Sequence, residues 1–418
     1  MNAKTDARGT TFQYAYDGNN RVSSITAGSQ ISAYGYEAGS DLRTSASVNG
    51  VSSAYSYDAA GRQVSRADMI DGLTFTTGFN YNPTDDLTAI SYPTTGATRR
   101  LVTLQYDAEH RVTRVSEGAT DYASAFVYHP SGQVLSFLSG NGVVNTFTFD
   151  AQRYWPTSVA AGGWSLQYQN YDQVGNVRSL VDNRPAYSQT FTYDALDRLV
   201  TATGAFGPST YAYDAHGNRT TAGGTTYTYE PGTLRLSSQG VATFTYDNAG
   251  NLLSAPGKAF TYTPDHLLAS VTGASATTYR YDADQWRIKT AVAGESPIYF
   301  LRGPSGQLLT EWRAVSGAPE LKDYILAGSR LIAAVTTTVS NNASTPACVP
   351  VIQYDFSQTT GPLYPTTSPG GANFSLPNYW ETPVWGDSRY GAALPAFPNL
   401  VVAERANIVN GQLTYTTV

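Results

Sequence analysis

The chain has 418 residues, a net charge of −6 and 14% charged residues, well under the roughly 25% of an ordinary soluble protein. That balance gives no case for nucleic acid or an anionic membrane surface as partner, and aromatics at 12% of the chain speak against disorder. One cysteine, Cys348, leaves no intramolecular disulfide and no multi-cysteine metal site, and no apolar run reaches the roughly 18 residues of a membrane span.

The start, Met1–Thr10, is polar and has no signal-peptide apolar core. A repeat begins almost at once, at Phe12–Asp17, as expected of a segment of a longer protein or the product of a truncated gene. The pair Tyr-Asp recurs as Tyr16-Asp17, Tyr57-Asp58, Tyr106-Asp107, Tyr171-Asp172, Tyr193-Asp194, Tyr213-Asp214, Tyr246-Asp247 and Tyr281-Asp282. Degenerate copies at Tyr36, Tyr81, Tyr128, Phe149, Tyr229 and Tyr262 fill the gaps, so the anchors follow one another every 16 to 25 residues. Self-similarity at such a period marks a repeat architecture.

Each copy carries a second large apolar residue two places before the anchor, from Tyr14 to Tyr279, with Gln169 as the exception. A spacing of two puts both rings on one face of a strand and is incompatible with a helix. After the anchor comes a turn, often with glycine four residues on: Gly61, Gly132, Gly175, Gly217 and Gly250. Glycine supplies positive φ, and the anchor Asp can accept N–H bonds from two or three residues further along. A second alternating strand follows, as in Arg21–Ile25 and Arg198–Ala202. One repeat is therefore a hairpin, and a lone hairpin is marginal in water. Neighbours must pair edge to edge, about 28 strands in a ribbon on the order of 130 Å long. Such a ribbon twists and curls, and closed into one turn it would surround a space roughly 40 Å across.

The motif Tyr-x-Tyr-Asp-x-x-Gly-Asn-Arg/Leu resembles the YD repeat of RHS proteins, teneurins and the C component of Tc toxins. Tyr211–Thr220 and Phe244–Leu253 are near-ideal copies, and Tyr299–Val335 is similar to the last repeats of bacterial RHS proteins. The resemblance covers residues 10–335. It implies an all-β fold: tandem hairpins forming a long curled or spiralling antiparallel sheet, a partial shell. It also implies a non-catalytic shell or cell-surface scaffold, secreted or displayed on the surface of a bacterial cell, which can enclose a C-terminal effector or toxin. The Asp-Pro-x-Gly-Leu signature linked to self-cleavage in bacterial relatives is missing from the sequence, so autoproteolysis does not carry over.

The expected division is a repeat shell over 1–335, a Thr/Ser/Asn-rich linker over 336–347 and a β- and loop-rich segment over 348–418. Trp380 and Trp385 in that segment could form a glycan-binding surface, making adhesion to a cell-surface glycan or protein the rival function; packing into the segment's own core is the commoner fate of such rings. An effector or toxin activity carried by 348–418 is the third reading. The closing run, Gly411–Val418, reads as a strand awaiting a partner, hence a domain cut short.

Nothing in the sequence calls for a cofactor or metal. The four histidines, His110, His129, His216 and His266, sit in separate repeats, and the abundant Asp residues are mostly turn anchors. No nucleophile elbow or phosphate loop is present. Unpaired strands at the ribbon's ends make self-association a further expectation.

Overall fold

The computed structural model describes residues 2–95, 100–315 and 318–338, together with the backbone of 405–409 and 412–416. Its architecture is a single antiparallel meander. Twenty-four strands, from Ala3–Thr5 to Ala242–Thr243, form one sheet, and ten more, from Thr245–Tyr246 to Arg330–Thr338, form a second. Each strand pairs with the next in sequence, always antiparallel. The division falls at Phe244. Ala242–Thr243 pairs backward with Leu236–Gln239, while Thr245–Tyr246 pairs forward with Leu252–Ala255. The Phe244 amide still donates to the Ser237 carbonyl at 3.1 Å, so the two sheets are one ribbon with a local bend. A single 3-10 turn, Pro185–Tyr187, interrupts the pattern.

The strands end where the sequence places the anchor. Thr11–Tyr16, Val51–Tyr57, Gln189–Tyr193 and Thr277–Tyr281 each stop at the tyrosine that precedes the turn aspartate. A β-bulge lies at the same place in repeat after repeat. Tyr16 faces Val22 where regular pairing would place Ser23, and the same slip occurs at Tyr57, Tyr106, Tyr193, Tyr213, Tyr246 and Tyr281. A bulge bends its strand and adds right-handed twist. Repeated on the same side of each hairpin, it gives the ribbon a steady curvature.

That curvature brings the end of the ribbon back to its beginning. Phe79, Tyr92, Val102, Val115, Tyr122 and Phe137 from the first half share a core with Leu309, Ile325, Ile332 and Val335. A second core joins Val51, Ile70 and Phe75 to Ile288, Tyr299, Leu301, Trp312 and Leu321. Phe75 packs edge-on against Trp312 at 5.5 Å and against Tyr299 at 5.8 Å between centroids. The last strands thus lie on the ring-bearing face of strands laid down more than 200 residues earlier.

Between these layers and the start of the second sheet the wall is thinner. Trp164, Leu166, Leu180, Phe191 and Ala202 form a small separate core. From 203 to 281 the only buried residue is Ala242. The last shell strand runs to Thr338, three residues past the expected start of the linker. The rest of that linker, Cys348, Trp380 and Trp385 lie outside the described residues; further along, the described strands 405–409 and 412–416 pair antiparallel.

Candidate functional site

Two constructions set this molecule apart chemically: the turn that closes every repeat, and the seam where the coiled ribbon meets itself.

The turn is a bracket built on the aspartate. In Asp194–Arg198 the Asp194 amide donates to the Arg198 carbonyl at 2.9 Å and the Asp197 amide donates back to Asp194 at 3.1 Å. One carboxylate oxygen, Oδ1, accepts from the Leu196 and Arg198 amides at 2.8 and 3.0 Å. The other, Oδ2, accepts from Arg198 Nε at 2.7 Å. The same set recurs at Asp17, Asp58 and Asp107 with an arginine, and at Asp172, Asp214 and Asp247 with an asparagine. The amides come from two and four residues on, not two or three. A three-residue reach occurs at Asp150 and, in addition, at Asp172. At Asp17, Asp58 and Asp107 the side-chain bond from the arginine leads in holding the carboxyl below its ordinary value. At Asp172, Asp214 and Asp247 partial desolvation works against the amide and asparagine bonds, which outweigh it.

The fourth turn residue takes positive φ. Gly61, Gly132, Gly175, Gly217 and Gly250 lie between +79° and +102°, where a side chain is strained. Gly175 has a second constraint, since a Cβ there would sit 2.9 Å from the Trp155 ring. Asn20, Asp85, His110, Asp197, His266 and Gln285 occupy the same left-handed slot in other repeats. The bracket also forms at three places that do not read as anchors in the sequence, Asp6–Thr10, Ser139–Val143 and Gly303–Gln307. The first lacks an anchor tyrosine, which hides it from a search for the pair.

Sequence reasoning also missed why the anchor is tyrosine. Its hydroxyl donates to a backbone carbonyl of the preceding hairpin: Tyr57 to Arg43, Tyr106 to Leu87, Tyr171 to Pro156, Tyr193 to Val177, Tyr213 to Leu199, Tyr246 to Leu236 and Tyr281 to Leu268, all between 2.6 and 2.9 Å. A phenylalanine could fill the space but could not tie one hairpin to the one before. Tyr16 closes its strand in the same way, with its ring more exposed. On the opposite face, hydroxyl pairs such as Thr192–Thr201 and Thr261–Ser270 bridge adjacent strands.

The seam is ionic where it is not apolar. Arg66 is buried and donates to Asp68 and, across the layers, to Asp282 at 2.8 Å. Burial raises the Asp282 carboxyl above its ordinary value despite that partner. Burial works against the Arg66 charge, yet its two carboxylates and the Tyr55 phenol hold the guanidinium more firmly protonated than usual. Arg43 makes a bidentate pair with Asp284 at 2.6 and 2.7 Å. Asp71, at a two-residue turn with positive φ, accepts from Arg280 at 2.7 Å, Lys289 at 2.5 Å and Tyr299 at 2.9 Å. Further along, Tyr92 donates to the Tyr324 carbonyl at 2.7 Å and Arg100 to Asp323 at 3.1 Å. These groups hold each other in place, and none is aimed at open space as a nucleophile or general base would be.

The four histidines are not brought together. His110 bonds Asp86, His129 bonds Ser131, and His266 lies 3.1 Å from Asp6 across the layers. His216 sits at the exposed tip of its own turn. Among the described residues no three His, Cys, Asp or Glu side chains converge on a metal position. No helix there is long and apolar enough to cross a membrane.

Comparison with known proteins agrees with this geometry. Residues 164–301 match the model of the teneurin YD-shell family. A crystal structure of TcdB2–TccC3 with Cdc42 superposes with a TM-score of 0.67 over 84% of this chain and 22% of that one, at 15% identity. The Tc holotoxin pore of Photorhabdus luminescens gives 0.63 over 82% and 21%, at 16% identity. TcdB2–TccC3 alone gives 0.65 over 82% and 22%, at 15% identity. The chain spans about a fifth of the length of these structures, and at such identities the likeness establishes the fold. No curated protein matches in sequence.

Proposed function

We propose that this chain, a member of the RHS/YD-repeat family, is a wall segment: a non-catalytic structural shell that screens an enclosed polypeptide effector from solvent and proteases. The observation that carries the reading is the return of the ribbon onto its own ring-bearing face, through two apolar cores and five ion pairs across the seam. A scaffold that only displayed loops would have no use for such closure. The brackets and buried pairs consume the titratable groups in structure, which supports a role without chemistry of its own. Likeness to Tc toxin and teneurin shells supports work outside the cell that makes the chain, with an effector as the partner. The glycan-binding alternative rests on Trp380 and Trp385 and has no observation among the described residues to favour it.

The test is protection. A protease-sensitive reporter segment is inserted after Thr338, where the last shell strand ends, and in a second version before Met1. The wall reading expects the first to be cut much more slowly than the second in the intact chain. Equal cutting rates would remove the enclosure reading.

A further inference from the structure

In five repeats the residue that closes the turn bracket is an arginine that also reaches the next repeat. Arg21, Arg62, Arg111 and Arg198 stand over the rings of the next anchors, Tyr36, Tyr81, Tyr128 and Tyr213, at 4.5 to 5.1 Å. Arg62 also donates to the Asn82 carbonyl at 2.7 Å, and Arg198 to the Asp214 carbonyl at 3.1 Å. Arg235 does the same at Tyr246 and the Asp247 carbonyl. A guanidinium is thus the repeat's own filling between one turn and the next: ring beneath, carbonyl ahead, carboxylate behind.

Among the described residues seventeen turns share the bracket, three of them closing five residues on instead of four, and in one alone is the closing residue acidic. That residue is Asp86, in the turn that opens at Asn82. No guanidinium stands over the next anchor ring, Tyr106, and the space is an open groove of about 440 Å³ lined by Asn82, Thr84, Asp86, Tyr106, Asp107 and His110, among others. The ring, the Asp107 carbonyl and a carboxylate are all present; the cation is not. Asp86 accepts from Asn82 at 2.8 Å, from Thr84 at 3.1 Å and from the His110 ring at 2.9 and 3.0 Å. These bonds, Asn82's first, keep its carboxyl below the ordinary value. Around the groove stand Asp85, Asp86, Asp107 and Glu109 against Arg62 and Arg111, leaving excess negative charge. The ribbon also shows that a turn can take its arginine from elsewhere: Arg8, in the turn before Thr11, donates to the carbonyl of Thr263, 255 residues away, and to that of Pro264.

We propose that the groove between the Asn82–Asp86 and Asp107–Arg111 turns is a receptor for an arginine side chain presented by a partner protein. The incoming guanidinium stacks on Tyr106, pairs with Asp86 in place of His110 and donates to the Asp107 carbonyl. This docking point holds whether or not the wall encloses a cargo.

The test titrates N-acetyl-L-arginine amide into the full chain by calorimetry at low salt, where screening is weakest. The expected result is one saturable site with a dissociation constant of about 1–10 mM, as a single exposed charge pair and ring stack allow. N-acetyl-L-citrulline amide, equal in shape but uncharged, should not bind. Asp86→Asn should weaken arginine binding at least about fivefold. The double variant Asn82→Asp/Asp86→Arg restores the repeat's own guanidinium; it should abolish binding and melt no lower than the parent. Unchanged binding to the double variant, or no saturable binding to the parent at about 50 mM, would overturn the proposal.

Discussion

The same hairpin builds two kinds of wall in this chain. Where the closing strands between Arg287 and Thr338 lie on those between Val51 and Ser139, position two before the anchor is sealed: Phe79 is 1% exposed. In the single layer around Tyr211–Tyr229 the same position, Tyr227, is only half covered. The doubled region draws on apolar burial between layers; the single layer relies on its turn brackets, hydroxyl ties and arginine–ring stacks. Local bonds suffice to hold the ribbon's shape, and only the second layer makes it a conventional core.

That contrast can be broken at several points. The largest effect is expected from Phe79→Ala, about 3–5 kcal/mol as for buried aromatics generally, against about 1–2 kcal/mol for Tyr227→Ala, which empties less buried area. Local hydrogen exchange measures each, since a chain of this construction need not unfold in one step. Equal losses would mean that the layers do not differ. Next, Arg66→Ala leaves Asp68 and Asp282 facing each other in the seam and should cost about 3–5 kcal/mol, with protection lost on strands Gln63–Ile70 and Arg287–Val292 together. Loss on one of them alone would argue against pairing across the layers. A smaller effect, about 1 kcal/mol, is expected from Tyr193→Phe in the single layer, which unties its hydroxyl from Val177 and leaves the ring. Exchange should quicken at Val177–Leu180, and no change there would show that the tie is idle.

The fourth way uses acid. In the single layer the bracket aspartates Asp194, Asp214 and Asp247 have carboxyls below their ordinary value in the folded chain. Their stabilisation is complete above the unfolded aspartate value near pH 4 and fades as pH falls through the lower folded value. Asp282, raised by burial, has the opposite sign: it takes up its proton more readily when folded, which favours the folded seam in acid. At Asp71, on the same seam, partial desolvation is outweighed by the bonds from Lys289 and Tyr299 and the carboxyl lies below its ordinary value, so titrating from about pH 5 to pH 2 should loosen the single layer and the Asp71 corner before the Arg66–Asp282 corner, as read by site-resolved exchange. The reverse order would contradict the assignment.

Much of this was legible in the sequence. The anchors Tyr16 to Tyr281, the strand period and the turn glycines follow from short-range chemistry that a single hairpin displays. The curl was legible only in outline. Its cause, the bulge at each anchor, leaves no residue signature, because Val22-Ser23 opposite Tyr16 looks like any strand start. The seam was hidden for a different reason. Arg66 and Asp282 are ordinary charges until the coil's pitch puts them together, and pitch is the sum of many small bends. In the sequence Asp85-Asp86 after Pro83 is no more than a polar turn; the meaning of Asp86 appears only against the arginines that fill the same place in other repeats.

The claim on which the account rests is that residues more than 200 apart in sequence meet at the seam. Zero-length carbodiimide coupling followed by peptide mass spectrometry tests it directly, because Lys289 Nζ lies 2.5 Å from Asp71 Oδ2 and the chain has few lysines. The account predicts a peptide joining Asp71 to Lys289, lost in Lys289→Arg. Efficient coupling of lysines to carboxylates of their own hairpins, with no Asp71–Lys289 product, would contradict it.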